Sequence, residues 1–416
     1  MIRWIATALL AMSLLACSKT DDAEPAAPAA ASEAAATTEA AAPAPVAATA
    51  GADSGIAPEP LGIIRSLPED WPANWLVVHD ASFFHMSDGK FVILDLEADT
   101  QPEQFKGMFN GSKIAQFIQS SSRPEFYVAE TFLSRGQRGD RTDVLSVVDK
   151  STLAVVDEVI IPSKRVHQIP TQYAVQLTGN ESMALVFNLT PATSVSVVDL
   201  DAREFKGEIP IPGCAGVYPT GSRGFSALCG DGTIISMQLD ADGSLAGEPT
   251  RSAKFFDTDA DALFERAAMV GTTGYFPTFM GNMVPIDLGG ENAAVGEAWS
   301  LLGPDDAGWR PGGIQLAAAD AKGRVFVLMH ADGYEGSHKD PGTEVWVFDP
   351  ATGQRVDRIA LQVPAITIEV TGGSERRLVT TNVEMGLDVY DASNGKYIKT
   401  MAAFGQETPL LLVKSR

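Results

Sequence analysis

Three cysteines, five histidines and one run of alternating aspartates are the residues of this 416-residue chain whose type and spacing point to chemistry. Cys214 and Cys229 stand 15 positions apart in GCAGVYPTGSRGFSALCGDG, which reads as a strand, a Pro-Thr-Gly turn, a second strand and a Gly-Asp-Gly turn. In an oxidising compartment they predict a disulfide across a hairpin; two buried free thiols are the alternative. His79, His85, His167, His330 and His338 fall in no dense ligand pattern, so a metal site would have to be assembled from distant segments. His79 and His85 flank a strand and turn and could meet at a channel mouth; surface or hydrogen-bonded core histidines are the simpler reading. Asp257, Asp259 and Asp261 spell the start of a calcium loop, but its sixth position is Ala262 and its twelfth Ala268, which excludes an EF-hand. There is no G-x-S-x-G, no phosphate-binding loop and no C-x-x-C-H. The chain is therefore expected to carry no catalytic, cofactor-binding or metal-ligating residue of its own.

The third cysteine belongs to an address. Residues 1–17, MIRWIATALLAMSLLAC, give an early Arg3, an apolar run and a small residue before Cys17, a secretory signal too short to span a bilayer. Leu14-Leu15-Ala16-Cys17 resembles a bacterial lipobox, which implies cleavage before Cys17 and its acylation; an ordinary cleaved signal is the alternative. Several acyl chains would anchor the protein at a membrane, and Ser18 favours the outer one. Residues 18–60 hold 18 alanines, 6 prolines and no aromatic residue, a composition that predicts a disordered tether. The formal net charge of −22 argues against nucleic acid as a partner, since phosphate binding needs clustered Lys and Arg.

The elements that must position any site come from residue 61 onward, where short apolar runs alternate with Gly, Asp, Asn and Pro. One phrase recurs: a few β-formers, an Asp or its equivalent, then a turn. It appears at Phe91–Asp95, Leu145–Asp149, Val195–Asp199, Ile234–Gln238, Met283–Asp287, Val345–Asp349 and Leu387–Asp391, at spacings of 54, 50, 39, 49, 62 and 42 residues. Periods of this size are those of four-stranded propeller blades, which stack because one blade cannot bury both faces. The expectation is an all-β, seven-bladed propeller over residues 61–416, behind the lipoprotein tether. The aspartates are read as turn formers that accept backbone N–H groups. The best helical candidate is Asp259 to Met269, as a short helix in a loop.

Two blocks are more specific than a generic propeller. Ser134-Arg135-Gly136-Gln137-Arg138-Gly139-Asp140-Arg141-Thr142-Asp143 and Gly308-Trp309-Arg310-Pro311-Gly312-Gly313, with the cysteine pair around Pro219-Thr220, resemble the large (heavy) subunit of quinoprotein amine dehydrogenases. The resemblance runs in chain order from about Trp75 to the C-terminus and implies a seven-bladed propeller.

It implies further that the chemistry sits on another chain. In that family a small, cysteine-rich subunit carries tryptophan tryptophylquinone, a primary amine condenses with it, and aldehyde and ammonia result. Electrons pass to a cupredoxin or a c-type cytochrome, and the subunits pair two to two. The large subunit docks the small one and walls the substrate channel. By order and spacing Phe84, or equally Phe83, matches a phenylalanine at the channel entrance, where a ring would discriminate amines by roughly 1 to 3 kcal/mol per misfit methylene. Arg135, Arg138 and Arg141 suggest either a docking surface or a solvated, salt-bridged loop, and Trp309 with Arg310 a further interface candidate; Trp309 and Trp346 are read as core or interface aromatics rather than quinone precursors. The implied place is the periplasm. A stand-alone, lipid-anchored propeller serving as a binding or scaffold protein is the rival reading. A lactonase-type propeller hydrolase is a third, but it would need a channel metal or acid–base set that the sequence does not display.

Overall fold

The computed structural model describes residues 66–81, 88–112, 114–167, 171–373, 375–402, 404 and 408–415, within the compact unit Ile63–Arg416. Strands dominate them, and the helical pieces among them are the four-residue Gln101–Gln104 and two 3-10 turns, Gln172–Ala174 and Ser337–Lys339. The architecture is a β-propeller of antiparallel sheets.

The recurring phrase is the third strand of its blade. Phe91–Asp95 lies in the strand Asp88–Asp95, between Trp75–Ala81 and Phe105–Ser112, and the later copies occupy the matching place. Their aspartates do what the turn reading requires. Oδ1 of Asp95, Asp149, Asp199, Asp287, Asp349 and Asp391 accepts the backbone N–H two residues on, at 2.8 to 3.1 Å.

The expectation of seven separate blades needs correction. Five sheets of four or five strands stand alone as blades, and the remaining strands form one eight-stranded sheet that holds two copies of the phrase, Val345–Asp349 and Leu387–Asp391. The cause is a single 17-residue strand, Gln354–Val370. Its first half pairs with Gly342–Asp349 and is largely exposed; its second half pairs with Arg377–Asn382 and is buried. No turn residue interrupts Ala360-Leu361-Gln362-Val363, and Pro364 is tolerated because the register shifts at this point of the ladder.

The helix expected over Asp259 to Met269 is also absent. Asp257 Oδ1 accepts the N–H groups of Asp259 and Ala260, and the Asp261 carboxylate takes Thr278 Oγ1, Met280 N and Asn282 Nδ2. These side-chain bonds draw the segment sideways onto a neighbouring turn, so its polar groups never enter a helical ladder. It runs instead into the strand Ala268–Val270.

Sheets pack face to face through apolar seams. Between the first two, Phe91, Phe109, Phe117 and Phe126 lie with ring centroids 4.6 to 6.0 Å apart. The C-terminal strand Pro409–Lys414 completes the first sheet by pairing antiparallel with Trp75–Ala81, from Leu76↔Lys414 to Asp80↔Pro409. Joining the last strand to the first removes the open edge a seam would leave.

Cys214 and Cys229 form a disulfide directly across the paired strands Cys214–Thr220 and Gly224–Cys229. Changing both to Ser should lower the unfolding free energy by about 3 kcal/mol, the loop-closure value for a loop of this length. Urea denaturation of oxidised wild type against the double variant measures it.

Candidate functional site

The blocks singled out in the sequence lie at one end of the ring, where turns between second and third strands meet the connections that enter each first strand. Hydrogen bonds tie the two kinds of segment together: Ser112 N to Glu130 Oε1 (2.9 Å), Arg165 N to Asp143 Oδ2 (3.1 Å), Thr408 N to Asp80 Oδ1 (2.7 Å) and Gly313 N to the His338 carbonyl (3.1 Å).

The turn carrying Arg135 and Arg138 spans residues 134–140, between the strands Glu125–Leu133 and Arg141–Asp149. Arg135 N donates to the Arg138 carbonyl and Asp140 N to Ser134 Oγ, while Gly136 and Gly139 take positive φ, 72° and 103°. At Gly139 a Cβ would collide with Ser134 Oγ, so this block needs glycine there. Arg135 and Arg138 are exposed.

Arg141 has a different role from its two neighbours. Its guanidinium forks onto Asp143, Nε to Oδ1 at 2.8 Å and a terminal nitrogen to Oδ2 at 2.6 Å, and also reaches the Arg165 carbonyl at 2.9 Å. Residues two apart on a strand share a face, so the R-T-D spelling already placed this pair together. The buried Asp143 also accepts Thr131 Oγ1 at 2.8 Å. Arg165, 1% exposed, donates to the carbonyls of Ile114 and Val166 and to Gln116 Oε1. Burial pulls its pKa down to about 10 against the opposing pull of Asp143. His79 stacks on Phe91 at 4.4 Å; burial, aided by Arg165, pushes its pKa down to about 3 and keeps it neutral. Nothing in the sequence marked Arg165 as a buried cation, because its partners at Ile114, Gln116 and Asp143 lie 22 to 51 residues away in the chain.

Trp309 and Arg310 open the eight-stranded sheet, on a different sheet from the arginine turn. Both are half-buried, and Arg310 donates to the Trp309 carbonyl at 2.7 Å. The Trp309 ring lies 5.1 Å from that of Trp346, and the Arg358 guanidinium caps both rings at 4.9 and 4.7 Å. Arg355 lies 4.2 Å from the Trp346 centroid, and Asp306, almost wholly buried, bonds both arginines at 2.6 and 3.3 Å. Burial would raise the Asp306 pKa, but the bonds from Arg355 and Gly303 N and the charges of Arg355 and Arg358 together outweigh it and hold the carboxyl below its usual range. Trp346 is fully buried under these cations, with Nε1 on Glu344. Trp346 is thus a core aromatic and Trp309 a partly covered one packed on it. Phe83, Phe84, His85 and Cys17 lie outside the described residues.

Around the ring axis, first strands of the sheets line a cavity of about 430 Å³ with Gln172, Gln176, Glu181, Glu369 and Lys414 among its polar walls. Among the described residues no group of three or more His, Cys, Asp or Glu is placed to hold a metal.

The family profile "Methylamine dehydrogenase heavy chain (MADH)" matches residues 72–414. The chain belongs to the methylamine dehydrogenase heavy chain family. Curated heavy chains align over nearly the full length: that of Paracoccus versutus is 28% identical over 96% of this chain and 93% of its own, and that of Methylorubrum extorquens 26% over 85% of each. A solved structure of a proposed 6-phosphogluconolactonase from Bacteroides fragilis shares the fold, with TM-score 0.55 and 13% identity over 85% of this chain and 99% of that one. The heavy-chain resemblance read from the S-R-x-x-R-G-x-R-T-D and G-W-R-P-G-G blocks is thereby confirmed, and both blocks lie inside the matched span.

Proposed function

We propose that this chain is the noncatalytic large subunit of a periplasmic amine dehydrogenase that converts primary amines to aldehyde and ammonia. Its membership of the heavy-chain family across residues 72–414 carries the reading. The partner is a small subunit bearing tryptophan tryptophylquinone, whose carbonyl supplies the electrophile and the electron sink. This chain's own contribution is positional. Exposed Arg135 and Arg138, set by the glycine turn, and Trp309 with Arg310, stiffened by the Arg358 and Asp306 cluster, offer rigid docking points, and rigid docking is what keeps a shared channel in register. Phe83 and Phe84 are assigned to the channel entrance, and Cys17 to a lipid anchor that holds the complex to the outer membrane. The surplus of acidic residues favours an electron acceptor, cupredoxin or cytochrome, that presents a basic face.

Purification of the native protein from its host under mild conditions tests this. A small Cys-rich partner with quinone absorbance and amine-dependent dye reduction is the expected result. A stable lone propeller with neither would overturn it and leave a scaffold or binding protein.

A further inference from the structure

Between the first two sheets a cleft of about 380 Å³ opens at the surface. Its walls are mixed: Met108, Phe109 and the polar Asn110 from the outer strand of the first sheet, and the apolar Val128, Val148, Leu153 and Val155 from the second. Into it faces one ionisable side chain, Glu130, 6% exposed. The Glu130 carboxylate accepts Ser112 N at 2.9 Å and Ser146 Oγ at 2.5 Å. Both donors are neutral, and each carboxylate oxygen keeps a lone pair beyond them. Glu158, exposed on the adjoining strand directly opposite Ser146, adds a second negative charge.

We infer that this cleft is a binding site for an organic ammonium ion with an apolar tail, the tail lying on Met108, Phe109 and Val155 and the ammonium on Glu130. A buried carboxylate is costly unless a cation or several donors meet it. Burial indeed pushes the Glu130 pKa up, only partly offset by Ser146, Ser112 and the Arg165 charge. A ligand cation supplies the missing charge, and a primary ammonium can donate several hydrogen bonds to the carboxylate. The volume lies at the lower end of the range for small-molecule pockets, and mostly apolar lining residues with a few placed polar groups, here Glu130 and Asn110, are their usual make-up. The exposure of Met108 and Val155, at 42% and 56%, leaves apolar surface that a tail would cover.

The site lies on the heavy chain itself and does not depend on a quinone partner. The test is calorimetric titration of the purified full chain, without small subunit or acceptor, using n-hexylammonium chloride, with 1-hexanol as the uncharged probe. Saturable one-to-one binding of hexylammonium is expected, with hexanol weaker by about tenfold or more, the value of a charge-assisted contact. Glu130→Gln keeps shape and polarity and should weaken hexylammonium by a similar factor while leaving hexanol unchanged. Val155→Trp fills the cleft from an exposed position, so it tests the site without disturbing the buried acid, and it should abolish binding of both probes. Equal affinity for the two probes, hexylammonium binding unchanged in either variant, or no saturable binding would each overturn the inference. Because no turnover is measured, none of these results bears on the amine dehydrogenase reading.

Discussion

Replacing Asp143 with Ala should lower the unfolding free energy by about 3–5 kcal/mol, the cost of removing one partner from a buried ion pair. The carboxylate is completely buried and receives the Arg141 fork, Thr131 Oγ1 and Arg165 N. Without it, Arg165 remains as a wholly buried cation whose strongest opposing charge is gone, and Arg141 loses both bonds that turn it inward. Asp143→Asn should cost less, about half, because an amide oxygen still accepts one or two of these bonds. Urea unfolding at pH 7 gives both values, and an unchanged denaturant slope would show that the native state, not the unfolded one, is affected. A loss below about 1 kcal/mol for Asp143→Ala would mean that water replaces the carboxylate and that Arg165 is not sealed. The consequence for docking follows from position. Thr131 and Asp143 are paired across the strands that hold the 134–140 turn, two rungs below its ends. Loosening that rung loosens the presentation of Arg135 and Arg138, so affinity for a small subunit should fall together with stability.

Much of this architecture was legible in the residues. The repeated β run, ending in Asp in all copies but Ile234–Gln238, marked the third strand of each blade because two local rules coincide there, a short apolar run buried on both faces and an aspartate that caps the following turn. Cys214 and Cys229 were readable as a pair because two short strands joined by a tight turn bring them back across each other, although the turn is Gly221-Ser222-Arg223 rather than Pro-Thr-Gly. A register shift between Ala215 and Tyr218, invisible in the sequence, sets the two cysteines directly opposite. The count of separate sheets was not readable. Whether a long strand is cut in two depends on a turn, and the stretch Leu361-Gln362-Val363-Pro364 spells neither a turn nor a central strand. The fate of Arg141 was half visible, in its spacing from Asp143, whereas the burial of Arg165 and Glu130 was not. Their surroundings come from Ser112, Gln116 and Ser146, and only the closed ring brings those segments together. Sequence periodicity reports which face a residue occupies; it does not report what stands opposite.

The closure of that ring makes Gln315 the second position of large effect. The closing strand Pro409–Lys414 is paired on one side with Trp75–Ala81, and its other side faces the axis with backbone groups that no strand pairs. Side chains of the eight-stranded sheet and its entering connection serve them instead: Thr381 Oγ1 donates to the Pro409 carbonyl at 2.8 Å and Thr367 Oγ1 to that of Leu410 at 2.7 Å. Gln315 does most. Its Oε1 accepts Leu412 N at 3.1 Å, and its Nε2 donates to the carbonyls of Leu412 at 2.9 Å and Ile368 at 3.0 Å, all in a site 1% exposed or less. Gln315→Ala leaves three buried backbone groups without partners, at about 1–3 kcal/mol each before relaxation, so a net loss of about 4 kcal/mol is expected. Gln315→Glu separates hydrogen bonding from packing: the carboxylate still accepts Leu412 N but cannot donate to either carbonyl, so it should recover only part of the loss. The failure should also be local. Hydrogen exchange at Leu411, Leu412 and Val413 should accelerate before the other strands respond, because the seam opens without unfolding the blades. Uniform acceleration throughout the propeller would instead mean that closure and blade folding are one cooperative event, and that Gln315 stabilises the whole ring rather than its seam.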